Sequence, residues 1–416
     1  MDKKKIVCFG PGPKFKGGIS NYNTSLAKAF DALGHDVHIV SWTQQYPAII
    51  PREFIDKSSR SDFLEGTTIQ VEYLLNYNNP FSWYNTANEI IKLKPDFVVI
   101  QWAIAIQGIP LTALVKRLKK NGVRVIFDLH FVNQKEGSKL DHQLLKRTLT
   151  HVDEFITHSL MTTRELKELF PQRVFSTDPV PNTCRVFQLY HPVYSLFAPQ
   201  ESFDVEAFKK AHGLKKHVFL FFGFIRKYKG LHHALRAFHQ LSLQRDDVSL
   251  LVCGESFWNT LDEKKLSTKI KTAVFGTLKS IFLNQDEEQT AYRPLQLIDE
   301  LQMQQVAVFN EFIPNENVHK YFQASDAVLL FYEYATPSGI ESLSYNFHKP
   351  ILATKVGHFG ETIIPGVNGY LAEAEDIASM VEVMQQSIEN PIDRQNMSAL
   401  TEKMSWRYYA EAILAG

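Results

Sequence analysis

Two carboxylates, Glu333 and Glu341, bracket the stretch Tyr334-Ala335-Thr336-Pro337-Ser338-Gly339-Ile340. The apolar run at 327–332 before them reads as a buried strand, 336–339 as a turn, and 340–347 as the opening of a helix. A strand–loop–helix unit presents the backbone N–H groups of Ser338, Gly339 and Ile340 at the carboxyl edge of a parallel sheet. Phosphates and sugar hydroxyls bind at such edges. A second stretch, Gly223-Phe224-Ile225-Arg226-Lys227-Tyr228-Lys229-Gly230, also follows an apolar run. Arg226 offers a forked guanidinium and Lys229 a point charge, while Gly223 and Gly230 permit close backbone approach. That combination suits an oxyanion. Acidic pairs at this spacing also arise by chance, and a solvated basic loop is the plain alternative for the second stretch. Their surroundings decide.

Strands and helices alternate twice along the chain. The first series has strands near 6–10, 37–42, 95–102, 123–129 and 154–158, with a glycine-opened helix at 17–33 and another at 111–120. The second begins at 218–223 and runs through 249–253, 307–311, 327–332, 350–354 and 369–371. Continuous apolar strands between amphipathic helices mean parallel sheets covered on both faces. The expected class is α/β, two doubly wound Rossmann-like domains with a cleft between them. We assign residues 1–195 to the first domain and 196–390 to the second. A helical segment at 391–416 is expected to pack back towards the first.

Composition narrows the functional classes. A chain of 416 residues exceeds one ordinary core, and 44% hydrophobic with 22% charged residues describes a globular protein. Lys+Arg and Asp+Glu are equal at 45 each, so no global field favours nucleic acid. Cys8, Cys184 and Cys253 have no metal-type spacing and read as thiols in a reducing cytoplasm. The N-terminus enters a strand directly, without the apolar core of a signal peptide, and no run is long enough to span a membrane.

The order of several short motifs is more specific than any one of them. Gly17-Gly18-Ile19-Ser20-Asn21-Tyr22, Gly34-His35-Asp36-Val37, His191-Pro192-Val193-Tyr194, the 223–230 loop, the 333–341 element and Gly357-His358-Phe359-Gly360-Glu361 occur in this sequence order. The chain thereby resembles a glycosyltransferase of the GT-B fold, in the large group called family 4, over nearly its full length. The resemblance implies transfer of a hexosyl group from a nucleoside diphosphate sugar to a glycan or lipid-linked hydroxyl, with retention, in polysaccharide or glycoconjugate biosynthesis. It implies Arg226, Lys229, Glu333 and His130 at the chemistry, with Glu341 accepting from the ribose hydroxyls. Gly17, Gly18, Gly223, Ser338, Gly339 and Ile340 would close on the donor. The family's Gly-Phe-Gly after the first Glu is replaced here by Tyr334-Ala335-Thr336. That departure keeps a second reading open, a catalytically silent binding or assembly partner of the same fold. An epimerase or phosphorylase on this fold is a further alternative.

No cofactor is expected. The chain contains no Asp-x-Asp with which to hold a divalent ion on a diphosphate, and Arg226, Lys229 and helix N-termini supply positive charge instead. Asp128, Glu136 and Glu361 are weaker site candidates, and His158 is read as structural. Trp42, Tyr46, Trp83 and Trp102 could stack on acceptor sugars or fill the core. Basic residues at 264–279 on an amphipathic helix, and again at 116–120, suit either a solvated face or peripheral contact with the inner face of a membrane.

Overall fold

The computed structural model describes residues 2–48, 54–102, 104–132, 139–256, 292–337, 339–393, 397 and 404–415. The first series of elements is β1 (Lys5–Phe9), α1 (Gly18–Ala32), β2 (Asp36–Gln44), β3 (Gln70–Asn76), α2 (Pro80–Leu93), β4 (Phe97–Trp102), α3 (Gly108–Lys120), β5 (Val125–Leu129), α4 (Lys139–Leu149), β6 (Glu154–Thr157), α5 (Leu160–Leu169), β7 (Phe175–Ser176) and β8 (Cys184–Gln188). The second is α6 (Val205–Ala211), β9 (His217–Phe222), α7 (Leu231–Ser242), β10 (Val248–Cys253), α8 (Gln296–Glu300), β11 (Val306–Phe309), α9 (Val318–Ala324), β12 (Ala327–Leu330), α10 (Gly339–Asn346), β13 (Ile351–Thr354), α11 (Phe359–Thr362), β14 (Gly369–Ala372) and α12 (Ile377–Glu389). A last helix, α13 (Trp406–Leu414), closes the chain.

Each series forms one parallel sheet. The strand orders are β3-β2-β1-β4-β5-β6-β8-β7 and β11-β10-β9-β12-β13-β14. Every residue of Phe97–Trp102 and of Val248–Cys253 is buried, as strands covered on both faces require. The helices supply the covers. Leu231, Ala234, Leu235, Phe238 and Leu241 place one apolar stripe of α7 on the second sheet. The sequence reading passed over β3 and α2, where Asn79 caps the helix and Pro80 occupies its first turn.

The first sheet reverses its winding between β1 and β4 and again at its edge between β7 and β8, and the second reverses between β9 and β12. Loops leaving the carboxyl ends of strands flanking such a reversal diverge and leave a crevice. The 17–18 loop follows β1, the 223–230 loop follows β9, and the 333–339 loop follows β12. These three loops therefore lie beside two topological switch points, while His130 follows β5.

Helix α13 packs on α1. The Trp406 ring stands 4.9 Å from that of Tyr22, the hydroxyls of Tyr22 and Tyr409 are hydrogen-bonded, and the Lys4 ammonium donates to the carbonyl of Leu414 at 3.2 Å. Trp42 and Trp102 are 1% and 0% exposed, which corrects any acceptor role for them: both are core. The three cysteines are free and buried. Among the described residues no helix is long and apolar enough to cross a membrane. The basic helix expected at 264–279, and Glu136, lie outside the described residues.

Candidate active site

The basic loop is built by a short 3₁₀ turn, Lys227–Lys229, between β9 and α7. Gly223 leaves the strand at φ 99°, a left-handed value that L side chains rarely adopt. A Cβ there would meet the Lys229 ammonium and the Ile340 side chain, both at 3.2 Å. Lys229, Gly223 and the first turn of α10 are thus brought together from two loops. Burial, joined by the neighbouring Arg226 charge, lowers the Lys229 pKa to about 7. An anion placed here would restore the lysine's charge.

Gly230 closes the loop. Its φ is 63°, and a Cβ would lie 1.8 Å from the carbonyl oxygen of Phe331, which is backbone of the β12 loop. Gly230→Ala is expected to be destabilised by about 1–3 kcal/mol from the left-handed backbone alone, before the clash. Thermal melting of the variant, alongside the wild-type chain, checks this.

The two halves of the candidate site meet at Tyr194. Its hydroxyl donates to the Gly18 carbonyl at 2.8 Å, and a Cβ on Gly339 would approach its ring within 2.7 Å. Gly17 caps α1, so the 17–18 loop faces the start of α10 across this ring. Lys16 reaches over in the same way, with its ammonium 4.0 Å from Glu255 and 4.8 Å from the Phe312 ring. Glu361 also crosses, accepting from the N–H groups of Leu160 and Met161 at 2.8 and 3.0 Å and so capping α5. Its job here is to join the domains.

The carboxylates divide. Glu341 is 4% exposed, with Oε2 held by His358 Nε2 at 2.6 Å and Oε1 receiving the Tyr345 hydroxyl at 3.3 Å. Only the longer, weaker contact is readily exchanged for a ligand hydroxyl. Glu333 is half-buried and engaged within its own domain, its oxygen 3.3 Å from His232 Nε2 and 3.6 Å from His233 Nε2. Ser338 lies outside the described residues.

His130 sits just beyond β5, 5% exposed, with Nε2 donating to Gln101 Oε1 at 2.7 Å. Burial, helped by His158 and opposed by the pull of Asp128, drives its pKa down to about 3. It is a neutral, oriented imidazole. Asp128 and His158 form a fully buried pair at 2.7 Å, which gives both a structural place. Sequence reasoning missed Gln101, Tyr194 and His358 as the groups that orient the site. His232-His233 lay in plain view, directly after the glycine loop.

Two family models match the chain: glycosyl transferases group 1 over residues 202–404, and glycosyltransferase family 4 over residues 16–176. The chain belongs to the group 1, family 4 glycosyltransferases. It is an enzyme of the GT-B fold, and the segment between the two matches, residues 177–201, carries Tyr194. No curated protein sequence matches this glycosyltransferase. Among solved structures it is similar to HepE of Anabaena in complex with UDP and glucose, with 15% identity over 99% of this chain and 98% of that one, TM-score 0.68. A sucrose-phosphate synthase from Thermosynechococcus elongatus matches at 15% identity over 99% and 97%, TM-score 0.66. An α,α-trehalose-phosphate synthase from Burkholderia xenovorans in complex with glucose-6-phosphate matches at 11% identity over 99% of both chains, TM-score 0.64.

Proposed function

We propose that this glycosyltransferase moves a hexosyl group from a nucleoside diphosphate sugar to a hydroxyl of a glycan or lipid-linked acceptor, in polysaccharide or glycoconjugate biosynthesis. The observation that carries the reading is the convergence of Arg226, Lys229, Gly223 and the α10 N-terminus at the β9/β12 switch point. The UDP bound to the similar HepE structure supports a nucleotide donor.

In this reading the diphosphate lies on Lys229, Arg226 and the N–H groups opening α10, faced by Gly17 and Gly18. The bond between the anomeric carbon and the phosphate oxygen breaks, and the electron pair leaves with the phosphate. The acceptor oxygen bonds the same carbon on the same face and passes its proton to the departing phosphate oxygen, which preserves configuration. Arg226 and Lys229 neutralise the developing charge, so the diphosphate requires no divalent ion. Glu341 takes a ribose hydroxyl in place of Tyr345. His130, neutral and fixed by Gln101, orients a sugar hydroxyl. Exposed Lys116, Arg117 and Lys120 on α3 suit a peripheral approach to a membrane bearing the lipid-linked acceptor.

The reading is tested by transfer from a panel of UDP-, GDP- and ADP-sugars. One donor is expected to be consumed with retained configuration and in the presence of chelator. Absence of transfer and of donor binding across the panel overturns it. Donor binding should also depend on pH. Because Lys229 has a pKa of about 7 in the free enzyme and the diphosphate favours its charged form, affinity falls as pH rises above 7. The limiting slope is about tenfold per pH unit. Lys229→Arg keeps its charge and is expected to flatten the profile in titrations from pH 6 to 9.

A further inference from the structure

We propose that His232 Nε2, His233 Nε2 and a carboxylate oxygen of Glu333 form a zinc site with one open coordination position. The two histidines occupy consecutive positions in the first turn of α7, with ring centroids 3.9 Å apart. Their Nε2 atoms converge on the same Glu333 oxygen at 3.3 and 3.6 Å, and all three ligand atoms lie within 4.8 Å of one another.

The spacing is compatible with a metal between the three groups. Charge-assisted N–H···O bonds close to about 2.7–2.9 Å. The two buried histidine–carboxylate pairs are about that close, His158–Asp128 at 2.7 Å and His358–Glu341 at 2.6 Å, whereas the part-exposed His38–Asp36 and His217–Asp247 contacts stand at 3.4 and 3.6 Å. The Glu333 contacts belong with the longer set and differ from it in bringing two imidazoles to one oxygen. Ligands held about 2.0–2.1 Å from a tetrahedral ion stand about 3.3–3.4 Å from each other. The Glu333–His232 distance of 3.3 Å equals that edge, and the Glu333–His233 distance of 3.6 Å is slightly longer.

The outer shell is also in place. The Tyr292 hydroxyl lies 2.9 Å from His232 Nδ1 and accepts the backbone N–H of His232 at 3.3 Å. A hydrogen bond on one ring nitrogen fixes the ring and leaves the other as the ligand. Two imidazoles and one carboxylate suit zinc and its first-row neighbours rather than magnesium. The fourth position would hold water. Among the described residues the other such cluster, Asp128, His130 and His158, is buried, with His158 Nε2 on Asp128 Oδ1 and His130 Nε2 on Gln101.

This site does not rest on the donor reading. Bound zinc would tie the loop after β12 to the start of α7 and engage the Glu333 oxygen. It would therefore inhibit transfer, which needs no metal, wherever Glu333 serves the sugar.

The test uses the full chain, free of any histidine tag and stripped with chelator. Zn2+ is titrated by calorimetry and Co2+ by visible absorption. Wild type is expected to bind one ion per chain, with the intense absorption of tetrahedral cobalt. His232→Gln with His233→Gln should lower affinity by at least about 100-fold and Tyr292→Phe by about tenfold. Absence of binding by wild type at about 100 µM zinc, or unchanged affinity in the double variant, overturns the proposal. Should the double variant fail to fold by circular dichroism, the Tyr292→Phe and single His233→Gln titrations decide in the same way.

Discussion

Arg226→Ala and Lys229→Ala are each expected to lower kcat for glycosyl transfer by about 10²–10³-fold while leaving the fold intact. Charge accumulates on the leaving diphosphate as the glycosidic bond breaks, so groups aimed at it act more strongly on the transition state than on the bound donor. Neither side chain supports a core. Both belong to the short 227–229 turn and its cap, half-buried above β9. Melting temperatures should stay close to wild type while turnover collapses. The double variant should lose less than the product of the singles, because the two cations act on one anion. Lys229→Arg is expected to recover part of the loss, since charge returns but the fork cannot occupy the space beside Gly223 in the same way. Steady-state kinetics with the donor found in the panel separate these outcomes. A variant that weakens KM alone would move that residue from the chemistry to simple donor binding.

Asp128→Ala should cost about 3–5 kcal/mol of folding stability, because it strips the partner from a buried pair. Asp128 and His158 are each fully buried and stand 2.7 Å apart. Burial pushes the Asp128 carboxyl up. The charge and hydrogen bond of His158, with His130 and the Tyr22 hydroxyl, outweigh that and hold its pKa below the ordinary value. The folded pKa is thus depressed relative to the unfolded 3.8. Its stabilisation is present above pH 4 and is lost as pH falls through the folded value. Urea unfolding from pH 7 down to pH 3 should show the wild type weakening in acid and the variant following a flatter course. The consequences reach the cleft. His158 stacks on His130 at 5.2 Å and on Tyr409 of α13 at 6.1 Å, so the same pair underlies the candidate sugar-orienting imidazole and the returning C-terminal helix.

Much of the architecture was legible in the residues. The apolar runs that became β1, β4, β9, β10 and β12 are buried on both faces, and a strand so placed has little choice but to be continuously apolar. The loops after β1, β9 and β12 were legible for a related reason. Glycine, proline and a pair of cations leave marks in sequence where the backbone must turn and meet an anion. β3 was not seen, since its edge position exposes alternate residues and Gln70, Glu72 and Asn76 dilute the pattern.

The fate of individual side chains was another matter. Glu333 and Glu341 look equivalent in sequence, eight positions apart on one motif. Tertiary structure gave one to His232 and His233 of α7 and the other to His358 ahead of α11. Trp42 and Trp102 were open to an acceptor role until the packing of the first domain buried them. Glu361, a weaker site candidate in sequence, caps α5 of the other domain. The physical reason is common to these cases. Local periodicity and turn chemistry are properties of neighbours in the chain, so sequence alone determined the two parallel sheets and the loops that bear the site. Contacts between elements depend on how helices, loops and sheets pack, and only the tertiary structure decided that His358 holds Glu341, that Glu333 faces His232 and His233, and that Glu361 joins the domains.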